Sequence, residues 1–252
     1  MRFFIYCYFF TFLVFPIMVL FFTSLSTFFT IFWSKVFTSV ALCTYQLSFC
    51  LAFFACLINA FFGFIVAWVL VRYNFFGKKI FDAIVDLPFA LPTSVTGLSL
   101  CIIYSSTGWF EKIGVSIVFT KFGILLAMVF VSLPFVIRCV QPALLKINRQ
   151  FEEAAWCLGA NSYETFSKVL WPALIPTLVT GMILSFSRSI GEYGAIVLLS
   201  SNFAFKDLVT SVLIVQCLEQ YDYIGSTIYG SVLIFLCFCL FLLGNLILLL
   251  LK

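Results

Sequence analysis

Between residues 185 and 194 an apolar stretch is interrupted by Ser185-Phe186-Ser187-Arg188-Ser189-Ile190-Gly191-Glu192-Tyr193-Gly194. Arg188 and Glu192 stand four apart and, on a continuous helix, share one face. An ionisable residue inside a membrane span costs roughly 2.5–3.5 kcal/mol on insertion scales and normally faces the bundle interior or a water-filled path. Two readings stand for the pair. It is a self-paired bridge that fixes helix packing, or Arg188 lowers the barrier to an anion while Glu192 holds or gates it. Ser185, Ser187 and Ser189 would add hydroxyl donors for an oxyanion whose hydration is partly stripped. Gly191 and Gly194 allow close backbone approach, although small residues also serve ordinary helix interfaces in membranes.

A second constellation is Glu-Glu-Ala-Ala-Trp-Cys-Leu-Gly-Ala-Asn over 152–161, running on to Trp171-Pro172. Glu152 to Leu158 favour a helix, and Gly159 can take the left-handed conformation that ends one. Asn161 or Ser162 can cap a second helix with Glu164 in its first turn. The spacing therefore predicts helix, sharp turn, helix. Ala154 and Ala155 keep one face small enough for another protein's groove to close around it. An ordinary surface loop with an Ala-rich helix fits the composition too.

Both constellations must be carried by elements that lie in lipid. Of the 252 residues 64% are hydrophobic and 10% charged, against roughly 25% charged in a soluble domain. The mean hydropathy is +1.20. Apolar stretches of about 20 residues recur, the length that crosses a bilayer as a helix, and backbone groups in lipid must bond within their own segment. The expected fold class is thus all-α integral membrane, one transmembrane domain over 1–252. Six spans fit, over 4–22, 47–70, 83–104, 123–141, 173–198 and 227–250. The amphiphilic segment 23–46 is expected to hold a short interfacial helix. The run after Met1-Arg2 exceeds a 7–15-residue signal core and lacks a small-residue cleavage site, so it reads as a retained span. Pro88 and Pro92 in the third span and Pro134 in the fourth should break or kink their helices. The hydroxyls of Thr93, Ser94 and Thr96 would re-satisfy freed carbonyls or face a path.

Lysine and arginine set the orientation. Arg2, Arg72, Lys78, Lys79, Arg138, Lys146, Arg149, Lys168 and Lys252 fall on one side, and Lys35, Lys112, Lys121 and Lys206 on the other. Nine against four places both termini inside, with 142–172 as the longest inward connection and 199–226 as the longest outward one. The ten cysteines lie mostly in apolar runs without a C-x-x-C spacing, and histidine is absent, which argues against a metal or redox centre. The modest net charge of +4 gives no reason to expect nucleic acid. The 35 phenylalanines fit an AT-rich genome better than a functional aromatic array.

Glu153-Ala154-Ala155, three residues, Gly159, nine residues, then Val169-Leu170-Trp171-Pro172 resembles the E-A-A-x3-G-x9-I-x-L-P loop of binding-protein-dependent ABC importer permeases. Val169 and Trp171 depart from the pattern. The resemblance runs from about Ser48 to Ser201. It implies a six-transmembrane-helix ABC importer permease bundle whose 142–172 loop, through Glu153, Ala154, Ala155, Gly159 and Pro172, seats in a separate ATPase subunit. No G-x-x-x-x-G-K-[ST] phosphate loop occurs, so ATP would be used by that partner and this chain would be no enzyme. Arg188-Ser-Ile-Gly-Glu-Tyr-Gly194 resembles the R-A-L-G-E-Y-G segment of sulfate/thiosulfate permeases, whereas molybdate permeases tend to carry His and Phe at 188 and 193. Asp86 to Gly97 and Leu133 to Pro142 are similar to the third- and fourth-span signatures of that branch. Tyr193 and Thr107-Gly108-Trp109 favour its T-type. The resemblance implies alternating access past Arg188, Glu192, Ser185 and Ser189. It also implies a W-type sister permease, a sulfate-binding protein and membrane lipid as partners, in a plastid membrane or a bacterial inner membrane. No transit peptide is expected for a chain made inside the organelle. A passive channel or secondary transporter and a purely structural membrane subunit are the rivals, and neither accounts for the E-A-A-x3-G spacing.

Overall fold

The computed structural model describes residues 2–26, 29–105, 108 and 117–250, so Thr107, Trp109, Lys112 and Lys252 lie outside the described residues. Among those described every regular element is helical. Helix α1 (Arg2–Phe9) runs through a π turn (Phe10–Val14) into α2 (Phe15–Leu25), followed by the short α3 (Phe29–Val36) and by α4 (Ser39–Arg72). The expected short helix in 23–46 is α3. At 34 residues α4 is about 51 Å long, well beyond the roughly 30 Å of a bilayer core.

Then come α5 (Lys78–Val85), α6 (Leu87–Ala90), α7 (Thr93–Tyr104) and α8 (Lys121–Lys146). The connection after α8 holds α9 (Gln150–Cys157) and α10 (Ser162–Thr165), and a second π turn (Phe166–Leu170) leads into α11 (Trp171–Ile190). The chain closes with α12 (Ile196–Leu199), α13 (Thr210–Glu219) and α14 (Tyr223–Leu250). Among the described residues five helical stretches are long and apolar enough to cross a membrane: Phe4–Leu25, Ser39–Arg72, Lys121–Lys146, Ser162–Ile190 and Tyr223–Leu246.

The expected third span, 83–104, is therefore not one helix. Pro88 opens α6, Leu91 is extended at φ −84° and ψ 136°, and α7 begins only after Pro92. A following proline disfavours the helical region, and Leu91 takes the extended alternative and breaks the run. The 12 residues of α7 rise about 18 Å, too little to cross alone. The fifth span also differs from 173–198. Its helix starts at Ser162 and stops at Ile190, and α8 continues through Pro142 to Lys146, so the inward loop is shorter than 142–172.

The π turns have a local cause. Phe15 N–H bonds back to Phe10 O and Trp171 N–H to Phe166 O, each immediately before a proline, Pro16 or Pro172. A proline ring collides with the carbonyl four residues earlier, and one wider turn relieves that collision without ending the helix.

The chain forms two compact units, Met1–Ser48 with Ser201–Cys239, and Phe49–Ser200 with Leu240–Lys252. Long-range polar contacts hold the first. Ser24 Oγ meets Ser231 Oγ at 2.8 Å, Thr210 N–H donates to Ser48 Oγ at 2.8 Å, and Lys35 pairs with Asp222. The fully buried carboxylate of Asp207 accepts from Ser201 N–H and Oγ at 2.6 and 2.7 Å. In the second unit Ala67, Val136, Ile137, Val140, Leu144 and Leu174 form a core. A Cβ at Gly63 would stand 3.0 Å from Val136 Cβ, and one at Gly181 3.1 Å from Val136 Cα, so these glycines let α4 and α11 close on α8. Lipid is as apolar as the core, which leaves such close van der Waals contact to hold the helices together.

A close backbone approach between α7 and the turn before α12 gives a test. A Cβ on Gly97 would lie 2.7 Å from Ala195 Cα and 2.8 Å from its carbonyl oxygen, neither of which can swing away. Gly97→Ala is expected to destabilise by about 1–3 kcal/mol through overpacking. Gly230→Ala, whose nearest neighbour is Leu20 Cδ1 at 4.0 Å, should stay within about 0.5 kcal/mol of wild type. Thermal unfolding of the two variants in detergent checks the contrast.

Candidate functional site

The knob formed by α9 and α10 is built by local rules. After α9, Gly159 sits at φ +84°, Ala160 N–H bonds Ala155 O and Gly159 N–H bonds Trp156 O, the paired reverse bonds of a Schellman ending. Asn161 Oδ1 then accepts from Glu164 N–H at 2.8 Å, and Glu164 Oε2 accepts from Asn161 N–H at 3.1 Å, a capping box that starts α10. Helix, sharp turn and helix thus appear where the spacing placed them. No atom lies within 4 Å of where a Gly159 Cβ would be, so glycine is required there by φ and not by space. Ala155 turns inward, while Glu153, Ala154, Gly159 and Pro172 are exposed. Around them Phe151, Leu158 and Tyr163 are 62%, 88% and 77% exposed, a large apolar surface on a short knob.

Glu152, beside Glu153, anchors the knob. Its carboxylate meets Arg72 Nη2 at 2.5 Å, with both side chains largely buried, and the guanidinium lies 5.3 Å from the centroid of Trp68. Trp68 belongs to an aromatic group with Phe64, Phe166 and Trp171, whose neighbouring rings stand 5.6–6.3 Å apart. Trp171, which departs from the loop pattern, is taken up by this group. Sequence reading counted Arg72 only as an inner-side charge. Its partner lies 80 residues away, and no periodicity could reveal it.

At the other end of α11 the helix stops before Glu192, so the shared-helix-face argument does not apply. The turn after Gly191 nevertheless returns Glu192 Oε2 to 3.0 Å from Arg188 Nη2, and Glu192 Oε1 accepts from Ala195 N–H at 3.1 Å. Glu192 is 1% exposed, whereas the Arg188 side chain keeps 34% of its surface open. The carboxylate thus shapes the turn and holds the guanidinium from one side. Ser185 and Ser189 face a different environment. Both are buried, Asn59 Nδ2 donates to Ser132 Oγ at 2.7 Å and Ser185 Oγ at 3.1 Å, and Ser189 Oγ donates to Ser132 Oγ at 2.9 Å. This knot joins α4, α8 and α11 and commits both hydroxyls, while Ser187 is exposed. Asn59 and Ser132 were missed; an asparagine inside a long apolar helix was the available signal.

The sequence model of the family described as "Binding-protein-dependent transport system inner membrane component" matches residues 59–251. The chain belongs to that family. It is 52% identical over 231 residues to a probable sulfate transport system permease protein of Chlorokybus atmophyticus, covering 90% of this chain and 81% of the relative. It is 49% identical over 239 residues to the sulfate transport system permease protein of Synechocystis sp., covering 93% and 84%. A bacterial ABC transporter involved in alginate import has a similar fold, with TM-score 0.76 at 17% identity over 96% of this chain and 91% of that one. The MetNI methionine ABC transporter gives 0.61 at 19% identity over 85% and 99%. The permease is a multi-pass membrane protein with the fold of ABC importer permeases.

The permease carries one more polar cluster that sequence reading did not assemble. Arg138 on α8 donates through Nε and Nη2 to the two carboxylate oxygens of Asp86 at 2.7 and 2.6 Å, and through Nη1 to Asp82 Oδ1 at 2.8 Å. Gln141 Nε2 donates to Asp82 Oδ1 at 3.1 Å. Gln141 first and Arg138 second hold the Asp82 carboxyl below the usual carboxylate range. The cluster clips the short α5–α6 arm onto α8. Among the described residues no group of His, Cys, Asp and Glu is arranged to hold a metal.

The Arg72–Glu152 pair makes a prediction. Removing one partner of a buried pair costs about 3–5 kcal/mol, because it leaves the other charge uncompensated. Arg72→Glu and Glu152→Arg should each lower the unfolding temperature in detergent, and the double exchange should recover most of the loss.

Proposed function

We propose that the chain is the T-type permease subunit of an ATP-driven importer of sulfate or thiosulfate. The observation that carries the proposal is the exposed knob of α9, Gly159 and α10, which joins the bundle through Arg72 and Glu152. A separate ATPase subunit would close on Phe151, Leu158 and Tyr163 around Glu153, Ala154 and Ala155, with Gly159 and Pro172 setting the knob's shape. It would use the ATP and pull the knob. A rigid ion pair and an aromatic group at the knob's root are what such a lever needs. Arg188 is the candidate anion contact, since its guanidinium is partly open and the adjacent Ser187 hydroxyl is exposed. Ser185 and Ser189 would act by fixing α11 in this conformation, and would meet an anion only if the knot opened during alternating access.

The sulfate assignment draws on the names of relatives at about half identity. A binding protein and a second permease of the W-type complete the proposed assembly; a structurally similar bacterial alginate ABC transporter was solved in complex with a periplasmic protein, which is in keeping with the first of these. Relatives from Chlorella vulgaris and Marchantia polymorpha favour a plastid membrane, with a bacterial inner membrane as the alternative. Molybdate is the rival cargo.

Radiolabelled sulfate uptake in a permease-deficient cell that supplies the other subunits tests this reading. Wild type should restore ATP-dependent uptake. Gly159→Asp should abolish it with the subunit still in the membrane, because a side chain at φ +84° costs about 1–2 kcal/mol and deforms the turn. Arg188→Ala should lower uptake about tenfold or more, equivalent to about 1.4 kcal/mol on the barrier. Uptake of molybdate alone overturns the cargo, and uptake without ATP overturns the importer.

A further inference from the structure

The segment Arg72-Tyr-Asn-Phe-Phe-Gly-Lys-Lys79 joins α4 to α5 and carries three cations and no acid. Its side chains are turned outward to an unusual degree. Phe76 is 102% exposed and Tyr73 58%, and on α5 Ile80, Phe81 and Ile84 are 64%, 56% and 48% exposed. Behind them lies an apolar groove of about 490 Å³, formed by Ile65 and Val69 on α4, Phe75, Phe81 and Ile84 on the arm, and Leu133 on α8. No polar side chain lines it. Its volume is within the roughly 300–1,000 Å³ usual for ligand pockets. Ile65 to Arg72 is about 10 Å along the helix, so the groove lies close to the positively charged end of α4.

The charges at its mouth are uneven. Asp82 and Asp86, the acids of the arm, are both taken by Arg138, and Arg72 is taken by Glu152. Lys79 makes no ion pair among the described residues, and Lys78 reaches Asn74 Oδ1 at 3.4 Å. Asp82 and Asp86 exceed Arg138 by one charge and Lys78 lies near Asp82, so the two ammonium groups leave the arm with a net surplus of one positive charge beside exposed aromatic rings and an apolar cleft. That is the pattern of an element lying in a membrane interface, with cations at headgroup level and apolar side chains below.

We propose that the groove binds one anionic phospholipid, an acyl chain lying against Val69, Phe81 and Ile84 and the headgroup phosphate on Lys78 and Lys79. Charge complementarity selects the lipid class, and the groove selects a lipid over a free phosphate. The Arg138 clip on Asp82 and Asp86 holds the arm so that groove and lysines stay together. This site is independent of the cargo and of the ATPase, and needs only that the chain spans a membrane.

The test uses the full-length chain in nanodiscs of phosphatidylglycerol and phosphatidylcholine, in equal amounts and with identical acyl chains. Lipids retained after gentle detergent extraction are counted by native mass spectrometry. Wild type should retain phosphatidylglycerol over phosphatidylcholine by roughly tenfold, the effect expected of two lysines at an anionic surface. Lys78→Gln with Lys79→Gln should bring the ratio to about one with little change in unfolding temperature, because Lys79 is exposed and the half-buried Lys78 makes only a long contact to Asn74. Val69→Trp, which fills the groove, should reduce retention of both lipids. Excess glycerol phosphate should displace neither. Equal retention by wild type, a preference that survives the double lysine variant, or displacement by glycerol phosphate would each overturn the proposal. So would a chain-to-chain product from a photo-crosslinker at Phe76, since the face would then be a subunit interface.

Discussion

No water reaches the core of a bilayer, so each polar group a helix carries there must find its partner inside the protein. The knot of Asn59, Ser132, Ser185 and Ser189 meets that condition for the Asn59 amide donor and the serine hydroxyls, leaving only Asn59 Oδ1 without a hydrogen bond, and in doing so sets the spacing of α4, α8 and α11. Those helices have no hydrophobic reason to associate, since lipid offers the same apolar surroundings. What remains is hydrogen bonding and close contact, and both occur together: the knot lies on the same three helices as Gly63, Val136 and Gly181. The position of Arg188, one residue before Ser189, follows from this arrangement.

Proline has a different consequence at each depth of the chain. Pro16 and Pro172 follow π turns and the helices continue, because one widened turn makes room for the ring. Pro134 and Pro142 lie within α8 without ending it. Pro88 and Pro92 stand four apart, and the residue between them that precedes Pro92 becomes extended. The extended Leu91, and not the proline spacing, divides this stretch among α5, α6 and α7, since Pro172 and Pro176 are also four apart and the helix from Ser162 to Ile190 runs through both. The break places Thr93 and Ser94 against the turn that carries Glu192, through the close approach at Gly194.

On the positively flanked side the ion pairs divide the work. Arg72 ties Glu152 of the knob to the end of α4, and Arg138 ties the α5–α6 arm to α8. Both arginines use a planar guanidinium with several donors, which suits a fixed joint better than an ammonium does. Lysines at 78 and 79 remain outside these joints. Fixed arginines and open lysines thus give the same face rigidity and a surface charge at once.

Much could be decided from sequence because it depends on neighbours along the chain. Hydropathy identified a helical membrane protein, and Gly159, Asn161 and Glu164 identified the knob, since a Schellman turn and a capping box are closed within about ten residues. Arg188 and Glu192 were found for the same reason, although the helix ends between them and a turn, not a shared face, joins them. What sequence could not settle were contacts between distant segments: Glu152 to Arg72, Asp82 and Asp86 to Arg138, and Asn59 to Ser132 and Ser185. Each pairs residues more than 50 apart in the chain, and only tertiary packing decides which polar groups meet once water is excluded. Local chemistry therefore determined the kind of protein and the shape of the knob formed by α9 and α10, while the folded bundle decided which charges are locked and which remain open.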